Sequence, residues 1–201
     1  MNLVITAAGT GLVAALTFDD GPNGPTTERL LDFLDANEIV ATFCVVGESV
    51  LAPGGAGVVR RIAANGHVLC NHTLRHADMG DWAPDAIEAD LRETLRIIRE
   101  AVGDENYPVP YFRAPYGSWG QTSAVAATLG MSSLAVHNTI DDWRTQDVPT
   151  LIRNLRSAIR PGELVLAHDG GGNREGTVDA VIAVVTERRA AGWRFLLPTA
   201  G

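Results

Sequence analysis

The chain has little cysteine, no basic cluster and no charge in its first 18 residues. Only two of its 201 residues are cysteine. Cys44 and Cys70 both lie in apolar, strand-like runs, and neither belongs to a Cys-x-x-Cys pair. Nothing in that pattern points to thiol chemistry, and both read as small core residues that leave the redox compartment open. The formal net charge is −8, from 16 basic and 24 acidic residues. With no arginine-rich patch to offset it, that balance argues against a nucleic-acid partner and disfavours a strongly anionic polymer. The uncharged opening invites a membrane reading, but it lacks a basic flank and is diluted by Asn2, Thr6, Gly9, Thr10 and Gly11. It also runs directly into Asp19-Asp20, so two short strands joined by a Gly-Thr-Gly turn account for it better than a membrane span. With no signal visible, a cytoplasmic location and a secreted one whose leader has been removed both stay open. There is no linker, repeat, low-complexity run or glycine-rich dinucleotide turn.

What is present reads as one domain over residues 1–201, a monomer with an ordinary globular composition of 46% hydrophobic and 20% charged residues. Strand and helix patterns alternate. Leu12–Leu16 is a core strand. Thr26 and Thr27 can cap a helix running to Ala36, and a strand over 41–46 follows. A helix near 57–65 stops at Gly66, and His67–Asn71 is a strand. Pro84 opens a long helix to Val102 with Ile87, Leu91, Leu95 and Ile98 at helical spacing. Strands over 111–114, 133–138, 163–168 and 193–197 alternate with helices over 122–129, 148–159 and 177–190. Seven such units predict parallel strands with helical crossovers. The polar residues cluster at the C-terminal strand ends, where a (β/α) barrel assembles its site. The expected fold is therefore α/β, a distorted (β/α) barrel of about seven parallel strands, with an open doubly wound sheet as the alternative.

Thr17-Phe18-Asp19-Asp20-Gly21-Pro22 carries the most information. It sets two adjacent carboxylates at a strand-to-loop edge, where a divalent metal would compensate their repulsion. His72 and His76 offer two neutral nitrogens four residues apart. Asp20 with both histidines makes a three-ligand set with an open position, the pattern of a catalytic zinc, which leaves Asp19 free as a general base. Arg113-Ala114-Pro115-Tyr116-Gly117 offers a cation to hold a carboxylate and a turn N–H for an oxyanion, although in isolation it reads better as a surface-bridging arginine and a tyrosine packed on proline. Leu166-Ala167-His168 ends a strand with an imidazole suited to proton donation, although taken alone it reads better as a satisfied core histidine. Asp142-Trp143 pairs an orienting carboxylate with an apolar wall. Trp119 could be a sugar-stacking surface or a packed side chain. Trp82 reads as a staple for the helix at Pro84, and His67 and His137 read as structural, with no evident carboxylate partner.

Together these motifs resemble the polysaccharide deacetylases, the NodB-homology domain of carbohydrate esterase family 4, over nearly the whole chain from Thr17 to His168. The fourth motif departs from the family pattern, with Thr139 where the leading Asp is expected before Asp142-Trp143. The resemblance implies a distorted (β/α) barrel and a metal-dependent hydrolase that removes N-acetyl groups from N-acetylglucosamine glycans of the chitooligosaccharide or peptidoglycan type. It also implies that Asp20, His72 and His76 bind Zn²⁺, or another divalent ion such as Co²⁺ or Ni²⁺, and that Asp19 deprotonates the water on it. Arg113 would hold Asp19, the Tyr116 N–H would meet the oxyanion, and His168 would protonate the departing amine. Asp142 would orient Arg113 or His168. Trp143 and Leu166 would line the acetyl pocket, and Thr73 would fix the second-motif loop. An O-acetyl esterase on xylan, a deacetylase of a small N-acetylated metabolite and an inactive glycan-binding module are the alternatives.

Overall fold

The computed structural model describes residues 3–199. Eight strands, β1 (Leu3–Val4), β2 (Val13–Asp19), β3 (Thr42–Val45), β4 (Val68–Asn71), β5 (Tyr111–Phe112), β6 (Ser132–Leu134), β7 (Glu163–His168) and β8 (Arg194–Phe195), form one sheet. Seven of them run in the order β1-β6-β5-β4-β3-β2-β7, every neighbour parallel, and β8 lies beside the start of β2. Seven helices cross between them: α1 (Gly24–Ala36), α2 (Gly47–Leu51), α3 (Gly55–Ala64), α4 (Pro84–Val102), α5 (Thr122–Thr128), α6 (Val148–Ala158) and α7 (Glu175–Ala190).

The sheet curls far enough that its two sides meet, but they are joined by loops. Past β6 the chain crosses to β7, where Leu166 N–H donates to Asn138 O at 3.0 Å and Ile140 N–H to Leu166 O at 3.2 Å. Across the same gap, at the start of β7, Ala7 N–H donates to Gly162 O at 2.9 Å. This is the expected distorted barrel rather than the open-sheet alternative.

Alternation along each strand sorts the residues into two layers. On β2, Ala14, Leu16 and Phe18 join the large core beneath the helices, while Val13 and Ala15 face the interior. On β7, Val165 and Ala167 face the helices and Leu164 faces inward. The same parity turns Asp19, His72, Arg113, Leu166 and His168 into the top of the barrel. α4 covers the outer face with Ile87, Leu91, Leu95 and Ile98, all buried, each contributing about 1.5–3 kcal/mol. It starts at Pro84 and ends against Gly103, whose φ of +87° lets the chain leave the helix in the left-handed region.

Four expectations change. Cys44 and Cys70 are core residues, as read, but they are joined as a disulfide. They are register partners on the adjacent strands β3 and β4, with Cα atoms 4.2 Å apart; sequence spacing does not show that adjacency. The cap of α1 is Asn23, not Thr26 or Thr27, and α2 is an additional short helix. His67 is buried and structural but has a carboxylate partner, Asp35, at 3.1 Å, and accepts the Ala41 N–H on its other nitrogen. His137 is exposed, 3.7 Å from Glu163. Among the described residues no helix is long and apolar enough to cross a membrane.

Candidate active site

Asp20 follows β2 with a φ of +73°, and Thr73, His76 and Tyr116 also occupy the left-handed region at +68°, +55° and +59°. Such residues cost roughly 1–2 kcal/mol each, and three of the four, Asp20, His76 and Tyr116, line one cavity of about 470 Å³ at the C-terminal strand ends. Asp19, Asp20, His72, His76, Tyr116, Trp143, Leu166 and His168 all line it, as does Thr139.

His72 and His76 lie on the loop after β4, not on a helix. Their Nε2 atoms stand 3.3 and 3.2 Å from Asp20 Oδ1, and the three ligand atoms lie within 4.8 Å of one another. Asp20 Oδ1 is buried and takes part in no hydrogen bond. A buried carboxylate oxygen faced by two imidazole nitrogens without hydrogen-bond geometry fits a divalent cation of the zinc type. The partners of the two imidazoles support that use. His72 Nδ1 lies 2.8 Å from Arg113 O, an acceptor only, so Nδ1 carries the proton and Nε2 is the atom left for a ligand. His76 Nδ1 is 3.1 Å from the Tyr116 hydroxyl. Burial works to raise the Asp20 carboxyl, but the close approach and charge of His72, with the charges of His76 and His168, outweigh it and hold it at about 2. For His72 burial works downward and is outweighed by Asp19, Asp20 and the Arg113 carbonyl, so its pKa is raised.

Asp19 ends the interior face of β2 and is 3% exposed; its Oδ1 accepts from Arg113 Nη1 at 2.6 Å, and its Oδ2 is 3.7 Å from His72 Nε2. Arg113 is fully buried. On the opposite side, Asp142 Oδ1 is 2.7 Å from His168 Nδ1, and Oδ2 accepts the His168 backbone N–H at 2.7 Å. Asp142 therefore orients His168, not Arg113. Burial lowers the His168 pKa, but the hydrogen bond and charge of Asp142 with Asp19 and Asp20 raise it above its ordinary value.

Trp143 is 57% exposed at the rim and Leu166 is buried below it. Trp119 does not line the cavity. It packs against the outer core, edge-on to Phe112 at 6.2 Å. Thr73 fixes its loop through the backbone, with its N–H on Asn71 Oδ1 at 3.0 Å, while its hydroxyl is unpartnered.

The sequence reading missed Asp169. It is fully buried beside the site, accepts from Thr27 Oγ1 at 2.6 Å, and packs so closely on Gly21 that a Cβ there would lie 2.2 Å from its Oδ2. Its position directly after His168 was the available signal.

Parallel strands close around one mouth that brings together three residues able to hold a metal ion, Asp20, His72 and His76, and two ion pairs, Asp19–Arg113 and His168–Asp142. Residues 7–134 match the family model for polysaccharide deacetylase, and the chain belongs to that family. It is 36% identical over 157 residues to a chitooligosaccharide deacetylase of Rhizobium leguminosarum bv. phaseoli, covering 77% of this chain and 67% of that one. It is 32% identical over 185 residues to a peptidoglycan-N-acetylglucosamine deacetylase of Bacillus cereus, covering 90% and 65%. Among solved structures, a family 4 acetyl xylan esterase from Clostridium thermocellum, in complex with a cobalt ion, superposes with a TM-score of 0.81 at 27% identity, over 92% of this chain and 87% of that one.

Proposed function

We propose that this chain is a metal-dependent N-deacetylase of N-acetylglucosamine glycans of the chitooligosaccharide or peptidoglycan type. One observation carries the reading: the Asp20–His72–His76 triad shares its cavity with Asp19, held from behind by Arg113, and with His168, held from behind by Asp142. The curated relatives named for chitooligosaccharide and peptidoglycan substrates point the same way.

Asp20, His72 and His76 would hold Zn²⁺, with Co²⁺ or Ni²⁺ compatible with the same donors. When bound, such an ion acidifies water and polarises the acetyl carbonyl. Arg113 fixes Oδ1 of Asp19, leaving Oδ2 to accept a proton from the attacking water. The backbone N–H of Tyr116 stabilises the oxyanion. Asp142 takes up Nδ1–H of His168, so the charged ring offers Nε2–H to the departing amine. Leu166 and Trp143 wall the acetyl methyl group.

The test is acetate release from chitooligosaccharides by the intact, metal-stripped and zinc-reloaded protein, with zinc affinity measured by calorimetry for wild type and Asp20→Asn. Activity lost on stripping and restored by zinc, with at least 100-fold weaker binding in the variant, is the expected result. Zinc binding without acetate release would overturn the substrate assignment, and no zinc binding would overturn the enzyme reading. The acetyl xylan esterase likeness favours one second reading, an O-acetyl esterase, which acetylated xylan in the same assay separates.

A further inference from the structure

Asp142 is fully buried, and its carboxylate accepts from more than His168. Thr177 Oγ1, in the first turn of α7 and 1% exposed, lies 3.0 Å from Asp142 Oδ2. The direction of that bond is fixed from behind. Gln146 Nε2 reaches Thr177 Oγ1 at 3.1 Å and can only donate, which leaves the single hydroxyl proton for Asp142. Gln146 Oε1 in turn accepts the Thr177 backbone N–H at 3.1 Å, and Gln146 Nε2 also donates to Asp142 O at 2.8 Å. Arg174, 8% exposed, adds a donor to Asp142 O at 3.2 Å. The helix sits so near this loop that a Cβ on Gly176 would lie 2.4 Å from Gln146 O.

We infer that Thr177 is a positioning residue for the proton-donating step: its hydroxyl, aimed by Gln146, locks the Asp142 carboxylate in the rotation that presents its Oδ1 to His168 Nδ1. With Oδ2 held by Thr177 and the His168 N–H, the carboxylate cannot swing about its Cβ–Cγ bond, and the imidazole plane is fixed with it. The inference rests on the deacetylase reading for its kinetic consequence, but the geometric claim can be tested without substrate.

Thr177→Val replaces the hydroxyl with a methyl group of the same shape, and Thr177→Ser keeps the donor. On an acetamide substrate, whose amine cannot leave unprotonated, Thr177→Val is expected to lower kcat at least 30-fold with KM within threefold. On an aryl acetate with an acidic phenol as leaving group, which needs no proton, it stays within threefold of wild type. Thr177→Ser restores the acetamide rate. Proton NMR of the substrate-free protein is expected to show the His168 Nδ1 proton at low field in wild type and Thr177→Ser, and broadened by exchange in Thr177→Val. Equal losses on both substrates, a Thr177→Ser variant as impaired as Thr177→Val, or an unchanged low-field proton would each overturn the inference. A wild-type protein inactive on acetamides would instead refute the deacetylase reading, and the NMR comparison would still decide the role of Thr177.

Discussion

Replacing Arg113 with methionine should unfold the protein more readily, and replacing Asp19 with it should undo most of that damage. Arg113 is fully buried and Asp19 is 3% exposed, so removing the guanidinium leaves a carboxylate with little water around it. Breaking one side of such a pair costs about 3–5 kcal/mol, whereas replacing both partners is nearly neutral. Here the pair is also incompletely compensated, since only Nη1 of Arg113 reaches Asp19 while Nε and Nη2 have no partner. Arg113→Met alone should therefore lose about 3 kcal/mol, a fall in Tm of about 10 °C for a chain of this size. The double variant Asp19→Leu/Arg113→Met, with both partners apolar, should return to within about 1 kcal/mol of wild type while remaining inactive. Urea unfolding of wild type, both single variants and the double variant in EDTA closes the cycle free of any contribution from metal binding. A double variant that loses the sum of the two single losses would show that no buried pair operates at this position.

Two further outcomes follow from neighbouring geometry. Burial, with the charges of Asp20 and Asp19, raises the Asp169 carboxyl from 3.8 to about 7 against the opposing Thr27 hydrogen bond. A raised acid binds its proton more tightly in the folded state, so its stabilising contribution is complete below pH 3.8 and is lost as pH rises through about 7. Asp169→Asn, a neutral isostere, should flatten the stability profile between those values and be about 2–4 kcal/mol more stable than wild type at pH 8; unchanged pH slopes in denaturant titrations would refute this. Trp143→Ala should raise KM for oligosaccharide about tenfold with Tm within 2 °C of wild type, while Trp119→Ala should cost about 2 kcal/mol and leave KM unchanged; kinetics and thermal melts on the two variants distinguish the roles.

The alternation of strands and helices and the apolar runs of β2 and β7 were legible in the sequence. Side chains on a strand alternate by simple geometry, but Asp19 and His168 turn to the same side because β2 and β7 pair in register. α4 could be placed end to end, since proline at its start, glycine after it and an apolar stripe are all local signals. The tertiary structure decided whatever depends on which strands are neighbours. Cys44 and Cys70 became a disulfide because β3 and β4 pair in register. Asp142 went to His168 rather than Arg113 because the chain beyond β6 crosses to β7 and closes the barrel there. Trp119 turned to the outer core, and Thr177 entered the site's surroundings from a helix whose local sequence carries no mark of it. Local pattern fixes which face a residue occupies, but long-range packing alone fixes what it meets there.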